Sequence, residues 1–214
     1  MGKLCLIAGL LLPALIATSI HRTVVDGYLA ALELLLSSSK TDVNEVANQT
    51  TALILAAEGN HSAMVQLLLD HGADPNLREP VFNETALFKA SFKGFSNVAQ
   101  TLISHGADVR LRIKNDETCL MWSSFKGFSD IALLLIDAGA DLNAQDTKFG
   151  FTPLMVAARN GHSNMVELLL SRGASWEIVD KTGRDALQHA RSKGNTYIEQ
   201  LLKQAVDKAF VKDL

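Results

Sequence analysis

Cys119 directly follows Thr118 at a point where a helix is predicted to begin, and the dipole of a helix N-terminus lowers a thiol's pKa toward a reactive thiolate. Nucleophilic or redox chemistry would follow if a general base stood beside it. The bases on offer are His21, His61, His71, His105, His162 and His189, and none lies in a slot that matches Cys119. The carboxylates Asp74, Asp108 and Asp141 raise metal ligation as a second possibility. They stand 34 and 33 residues apart, however, and so regular a spacing assigns them a repeated structural duty. The chain has no glycine-rich phosphate loop, no His-Glu-x-x-His and no Gly-x-Ser-x-Gly. Its two cysteines, Cys5 and Cys119, make neither a disulfide framework nor a zinc site. An enzyme active site, a cofactor and a metal are therefore not expected; a redox or hydrolytic role for Cys119 is the alternative.

The same regularity runs through the whole chain. Thr18, Thr51, Thr85, Thr118 and Thr152, with Asp185 in the sixth place, are separated by 33, 34, 33, 34 and 33 residues. A period in that range signals a repeat array whose units contact only their neighbours. The segments that begin at these threonines align without gaps. Thr152 leads into Pro153, Leu154, Ala157, Ala158, Gly161, His162, Met165, Val166, three leucines from Leu168, Gly173 and Ala174. Thr51 leads into Leu53, Ala56, Ala57, Asn60, His61, Met64, Val65, three leucines from Leu67, Gly72, Ala73 and Asp74. A hydroxyl at the restart can cap the orphan N–H groups of a helix, and a proline fits its first turn. The alanines keep that helix thin, and Gly94, Gly127, Gly161 and Asn60 suit the left-handed residue that ends it. A second helix then buries a leucine stripe.

This skeleton resembles the ankyrin repeat, whose motif runs Thr-Pro-Leu-His-x-Ala-Ala, then Gly-His, Leu-Leu-Leu and Gly-Ala-Asp. The resemblance implies an all-α solenoid of about six stacked helix-turn-helix repeats, linked by short β-hairpin fingers. In this chain that gives a capping repeat at 18–50, repeats at 51–84, 85–117, 118–151 and 152–184, and a capping repeat with tail at 185–214. It also implies structural roles for His61 and His162, bonding across the loop, and for Asp74, Asp108 and Asp141, holding the fingers. Its functional implication is a non-catalytic protein–protein interaction module that binds a partner protein or peptide in a concave groove between fingers and inner helices.

Composition agrees with a folded array. Hydrophobic residues make up 48% and charged residues 20% of the 214. A net charge of −3, with basic residues scattered among acidic ones, argues against a nucleic-acid or anionic-membrane partner. No small-molecule substrate is expected, and the array is read as a monomer. Residues 1–17 belong to no repeat. Lys3, the apolar run from Leu4 to Leu12, and the small residues Ala17 and Ser19 resemble a secretory signal peptide, which implies a secretory route. The run is shorter than the ~20 residues that span a bilayer comfortably. An uncleaved anchor, and a hydrophobic helix capping the first repeat of a cytoplasmic protein, are the alternatives.

Function is expected in the slots that vary while the skeleton repeats. The two residues before the first-helix glycine are Phe92 and Lys93, then Phe125 and Lys126, then Arg159 and Asn160. The fingers add Phe82, Glu84, Asn115, Glu117, Phe149 and Phe151. Stacking would align Phe92 with Phe125 and Lys93 with Lys126, an exposed aromatic pair flanked by cations. Aromatic side chains bury much area at little entropic cost and are enriched in interface hot spots. The competing reading has these rings pack between repeats, as expected of Phe95 and Phe128, which stand where the motif has histidine. Lys89 and Trp122 share a mid-helix slot in adjacent repeats. They could form a cation–π contact worth roughly 0.5–2 kcal/mol, or the lysine stem could lie on the ring and reach solvent.

Overall fold

The computed structural model describes residues 19–38 and 41–212. The apolar segment 1–17 with its export reading, Cys5 and Thr18 lie outside these residues. Twelve α-helices are described, two per repeat: α1 (Ile20–Val25) and α2 (Leu29–Leu36), α3 (Ala52–Glu58) and α4 (Ser62–Asp70), α5 (Ala86–Lys93) and α6 (Ser96–Ser104), α7 (Cys119–Lys126) and α8 (Ser129–Asp137), α9 (Pro153–Asn160) and α10 (Ser163–Ser171), α11 (Ala186–Ser192) and α12 (Thr196–Lys212). Odd-numbered helices stack in one layer and even-numbered helices in a second.

Each first helix opens where the threonine period places it. The hydroxyls of Thr51, Thr85, Thr118 and Thr152 accept the N–H three residues on, at 3.2 to 3.3 Å. Asp185 makes a full capping box, accepting the Gln188 N–H at 2.7 Å while its own N–H donates to the Gln188 side chain at 2.9 Å. The first repeat departs from the pattern. Its cap is Ser19 rather than Thr18, so α1 starts one residue late.

Between the two helices of a repeat the chain turns through a left-handed residue, Gly94 at φ +86° and Gly127 at φ +76°. Stacking adds a second constraint at these positions. A Cβ on Gly94 would sit 3.0 Å from the Phe128 ring, and one on Gly127 would sit 2.7 Å from the His162 ring. Phe128 and His162 thus pack over the turn of the preceding repeat. The alanines Ala56, Ala90, Ala157 and Ala190 are fully buried between first helices. The last five second helices bury the repeated leucine, at Leu68, Leu102, Leu135, Leu169 and Leu202, on the inner stripe, each worth roughly 1.5–3 kcal/mol of transfer free energy.

The fingers turn back on themselves with one closing backbone bond each, Glu79 to Glu84, Ile113 to Glu117, Asp146 to Phe151 and Asp180 to Arg184, but build no extended β-ladder. Among the described residues strand pairing is limited to isolated bridges, Ala47 with Thr50 and Arg112 with Thr118. Side-chain carboxylates supplement those bonds. Glu79 accepts the N–H groups of Val81 and Phe82, Asp146 those of Lys148, Phe149 and Phe151, and Asp180 those of Thr182 and Arg184. Neighbouring fingertips are tied by one backbone bond each, from Lys114 to Phe82, Thr147 to Asn115 and Lys181 to Phe149.

Asp74, Asp108 and Asp141 hold the other end of the fingers. They accept the N–H groups of Asn76, Arg110 and Asn143 at 2.8, 3.0 and 2.9 Å. Asn44, Asn76 and Asn143 then reach into the next repeat, accepting the N–H groups of Asp74, Asp108 and Ser175 at 2.8 Å. The third repeat has Arg110 in that slot, and its Nε turns back on Asp108 at 3.2 Å. Among the described residues the seam between the third and fourth repeats therefore lacks the asparagine bridge.

Candidate functional site

The fingers and first helices of the later repeats enclose a pocket of about 570 Å³. α7 contributes Met121, Trp122 and Phe125; α9 contributes Val156, Arg159 and Asn160; the fingers add Glu117, Asp146, Phe149 and Phe151; Lys193 closes it from the end of α11. Met121 and Asp146 are buried at the floor, whereas Phe125 and Phe149 are 44% and 49% exposed at the rim.

Trp122 organises the aromatic side of the pocket. Its ring meets Phe88 at 6.1 Å, Phe92 at 5.2 Å and Phe125 at 5.5 Å, all edge-on, the geometry the ring quadrupoles favour at about 0.5–1.5 kcal/mol per pair. Its Nε1 donates to Glu117 at 2.9 Å. Glu84 stands 33 positions before Glu117 and directs its carboxylate to Lys89 at 2.5 Å. Of the two possibilities for Lys89 and Trp122, the cation–π contact is not formed, since Lys89 pairs with Glu84. A carboxylate five residues back outcompetes a ring whose neighbourhood Phe88 and Phe92 already fill. Opposite Trp122, Phe149 stacks on Phe151 at 5.2 Å, and Arg159 lies over Phe151 at 5.3 Å.

Behind Phe151 is a buried pair. The Phe151 ring meets His189 at 4.9 Å, and His189 Nε2 is 2.8 Å from Asp180 Oδ2. Burial pushes the His189 pKa below its ordinary value despite the carboxylate. Burial also opposes ionisation of Asp180, but hydrogen bonds from Thr182, Arg184 N–H and His189 outweigh it and hold that carboxyl well below the usual range.

Six of the residues singled out from the sequence come together here: Glu117, Phe125, Phe149, Phe151, Arg159 and Asn160. The other six lie outside the pocket. Phe92 is half-buried against the core instead of forming an exposed pair with Phe125, because Trp122 of the next repeat covers it. Lys126 crosses to it, with Nζ 4.6 Å from the Phe92 ring and 5.8 Å from Phe125. Lys93 is exposed. Phe82 is exposed at its fingertip with Lys114 Nζ 6.0 Å away. Asn115 adopts φ +63° in the turn Lys114–Asp116. Glu84 is bound to Lys89.

Trp122 as a hub, together with Met121, Asp146 and Val156, escaped the sequence reading of the site, whereas Lys193 stands in the variable slot before Gly194 that corresponds to Asn160. A signal for Asp146 existed, since Glu79, Asp146 and Asp180 share one repeat slot that Ile113 interrupts. Of the two histidines given a loop-bonding role, His162 makes the bond, and His61 has no such bond among the described residues. His162 Nε2 donates to the Phe125 carbonyl of the preceding repeat at 2.8 Å, and Asn195 donates in the same way to Ala158 at 2.8 Å. His71 and His105 donate back within their own helices at 2.9 and 2.8 Å. The reactive-thiolate possibility at Cys119 is corrected: the side chain is buried, and desolvation pushes the thiol up to about 12, outweighing any help from the helix N-terminus. Among the described residues no three His, Cys, Asp or Glu side chains converge on a metal site.

The chain matches the family described as "Ankyrin repeats (3 copies)" over residues 20–113, 74–146 and 120–211. It is similar to glycerophosphocholine phosphodiesterase GDE1 of Candida albicans, 36% identical over 66 residues, covering 31% of this chain and 6% of that protein. It is 45% identical over 56 residues to the NAD-capped RNA hydrolase NUDT12 of Homo sapiens, covering 26% and 12%. Against transient receptor potential cation channel subfamily A member 1 of Homo sapiens the identity is 45% over 58 residues, covering 27% and 5%. The matched segments are thus small parts of these relatives. Among solved structures, the ankyrin repeat domain of Bcl-3, described as a unique member of the IkappaB protein family, superposes with a TM-score of 0.82. It is 28% identical, over 88% of this chain and 86% of that one.

Proposed function

Because this chain belongs to the ankyrin-repeat family and carries the fold of a protein-interaction module, we propose that it holds a partner protein or peptide between its fingers and first helices, anchored at the Trp122 pocket. The observation that carries this reading is the convergence of Trp122, Phe125, Phe149 and Phe151 on one cavity of about 570 Å³. Such volume accommodates a few side chains of a partner. Rigid aromatics in a pocket rimmed by long polar side chains are the usual anatomy of an interface hot spot. Supporting bonds keep the walls in place without partner: Glu117 fixes Trp122, and the Asp146 clamp fixes the backbone on either side of Phe149. Preorganisation of this kind lowers the ordering cost of association.

The test is a paired substitution at the rim. Phe125→Ala with Phe149→Ala is expected to abolish capture of the partner from a native lysate while the chain stays folded, the loss of two half-exposed ring contacts lowering the melting temperature by up to about 8 °C. Retained capture by a folded variant would refute the groove reading.

A further inference from the structure

Resting on that groove reading, we propose that the partner presents an acidic segment with an apolar anchor: Asp or Glu side chains meeting the cations around the pocket, and an aromatic or aliphatic side chain entering it. The charges on this face are unequally committed. The carboxylates nearest the pocket are engaged internally, Glu84 by Lys89, Glu117 by Trp122 and Asp146 by three backbone N–H groups, while Asp116 on the fingertip has no ion pair among the described residues. The cations nearest the pocket are not so engaged. Among the described residues Lys93, Lys126, Arg159 and Lys193 have no carboxylate partner.

Lys126 and Arg159 rest on aromatic faces instead. A ring holds a cation in place without neutralising it, so the charge stays available to a ligand. The chain as a whole carries −3, so this face is not the overflow of a basic protein. A nucleic acid is the other polyanion to weigh. Glu117 and Asp146 lie within the pocket wall, where they would repel a continuous phosphate backbone, whereas separate Asp and Glu side chains can be spaced to avoid them.

The experiment pans a displayed library of short random peptides against the whole chain, then measures the enriched sequences by fluorescence anisotropy. Enrichment of Asp or Glu beside Phe, Trp or Leu is expected. Arg159→Glu with Lys193→Glu should weaken those peptides about tenfold or more, as should raising NaCl from about 0.05 to about 0.5 M. Lys203→Glu, on the exposed side of α12, should leave binding within about twofold. Lys193→Glu alone keeps the test valid if the double variant melts early, because it removes no ring contact. Neutral or basic winners that still depend on Phe125 and Phe149 would overturn the acidic-segment proposal and leave the groove reading standing. A single-stranded oligonucleotide that outcompetes the winning peptides would also overturn it. No enrichment, or winners indifferent to Phe125→Ala with Phe149→Ala, would defeat both.

Discussion

Ser124 is buried in α7 where the equivalent positions are Ala57 and Ala158, and its hydroxyl has no hydrogen-bond partner. The neighbouring Ser123 satisfies itself by donating to the Leu120 carbonyl at 3.0 Å. An orphan hydroxyl costs its full desolvation, so Ser124→Ala is expected to stabilise the chain by about 1 kcal/mol and raise the melting temperature by about 2–4 °C. Thermal or urea unfolding measures this; a destabilised variant would mean the hydroxyl has a partner in solution. Whether a residue could be read from sequence depended on the reach of its interactions. The threonine caps were legible because a cap acts across three residues of one chain segment. The exposure of Phe92 was not, because it is decided by the Trp122 ring of another repeat. Lys89 shares its slot with Trp122 in the sequence, but Glu84, five residues before it, takes the ammonium.

At the scale of elements, the last finger and α11 are joined through the Asp180–His189 pair, and this makes their stability depend on pH. His189 has a folded pKa below its ordinary 6.5 and Asp180 one below its ordinary 3.8. In both cases the unfolded chain binds protons more readily than the folded one, so stability is complete above the ordinary pKa and declines as pH falls toward the folded value. The first window opens on acidification below pH 6.5 through His189, and the second below 3.8 through Asp180. Melting from about pH 7.5 down to about pH 5.5 should therefore lower the transition temperature, and His189→Gln should flatten that dependence. An unchanged slope in the variant would remove His189 as the cause. The finger itself was only half legible. Its position followed from the period, but a single side-chain carboxylate clamping two or three N–H groups leaves no periodic trace resembling a strand. Only the recurrence of Glu79, Asp146 and Asp180 betrays it.

At the scale of the whole molecule, the array was legible because its period imposes the same local geometry on every unit. The pocket was not, since it draws on four repeats at once and its hub occupies a slot that holds Lys89 and Val156 in the repeats on either side. The joins between units differ as well. Asn44, Asn76 and Asn143 bind one repeat to the next, while Arg110 binds itself to Asp108. Arg110→Asn is expected to restore a bond to the Asp141 N–H and add about 1 kcal/mol to the stability measured in urea. No gain would show that the Trp122 cluster already compensates on the other side. As the chain stands, the third and fourth repeats meet through the aromatic rings, the Thr147–Asn115 backbone bond and the Arg112 side chain on the Gln145 carbonyl, without the asparagine bridge. Held at both ends and stretched, the array is expected to part there first, a short early step in a force–extension trace, with residues 118–212 carrying the whole pocket away except Glu117. A partner seated across Glu117 and Trp122 would be the clasp that resists the load.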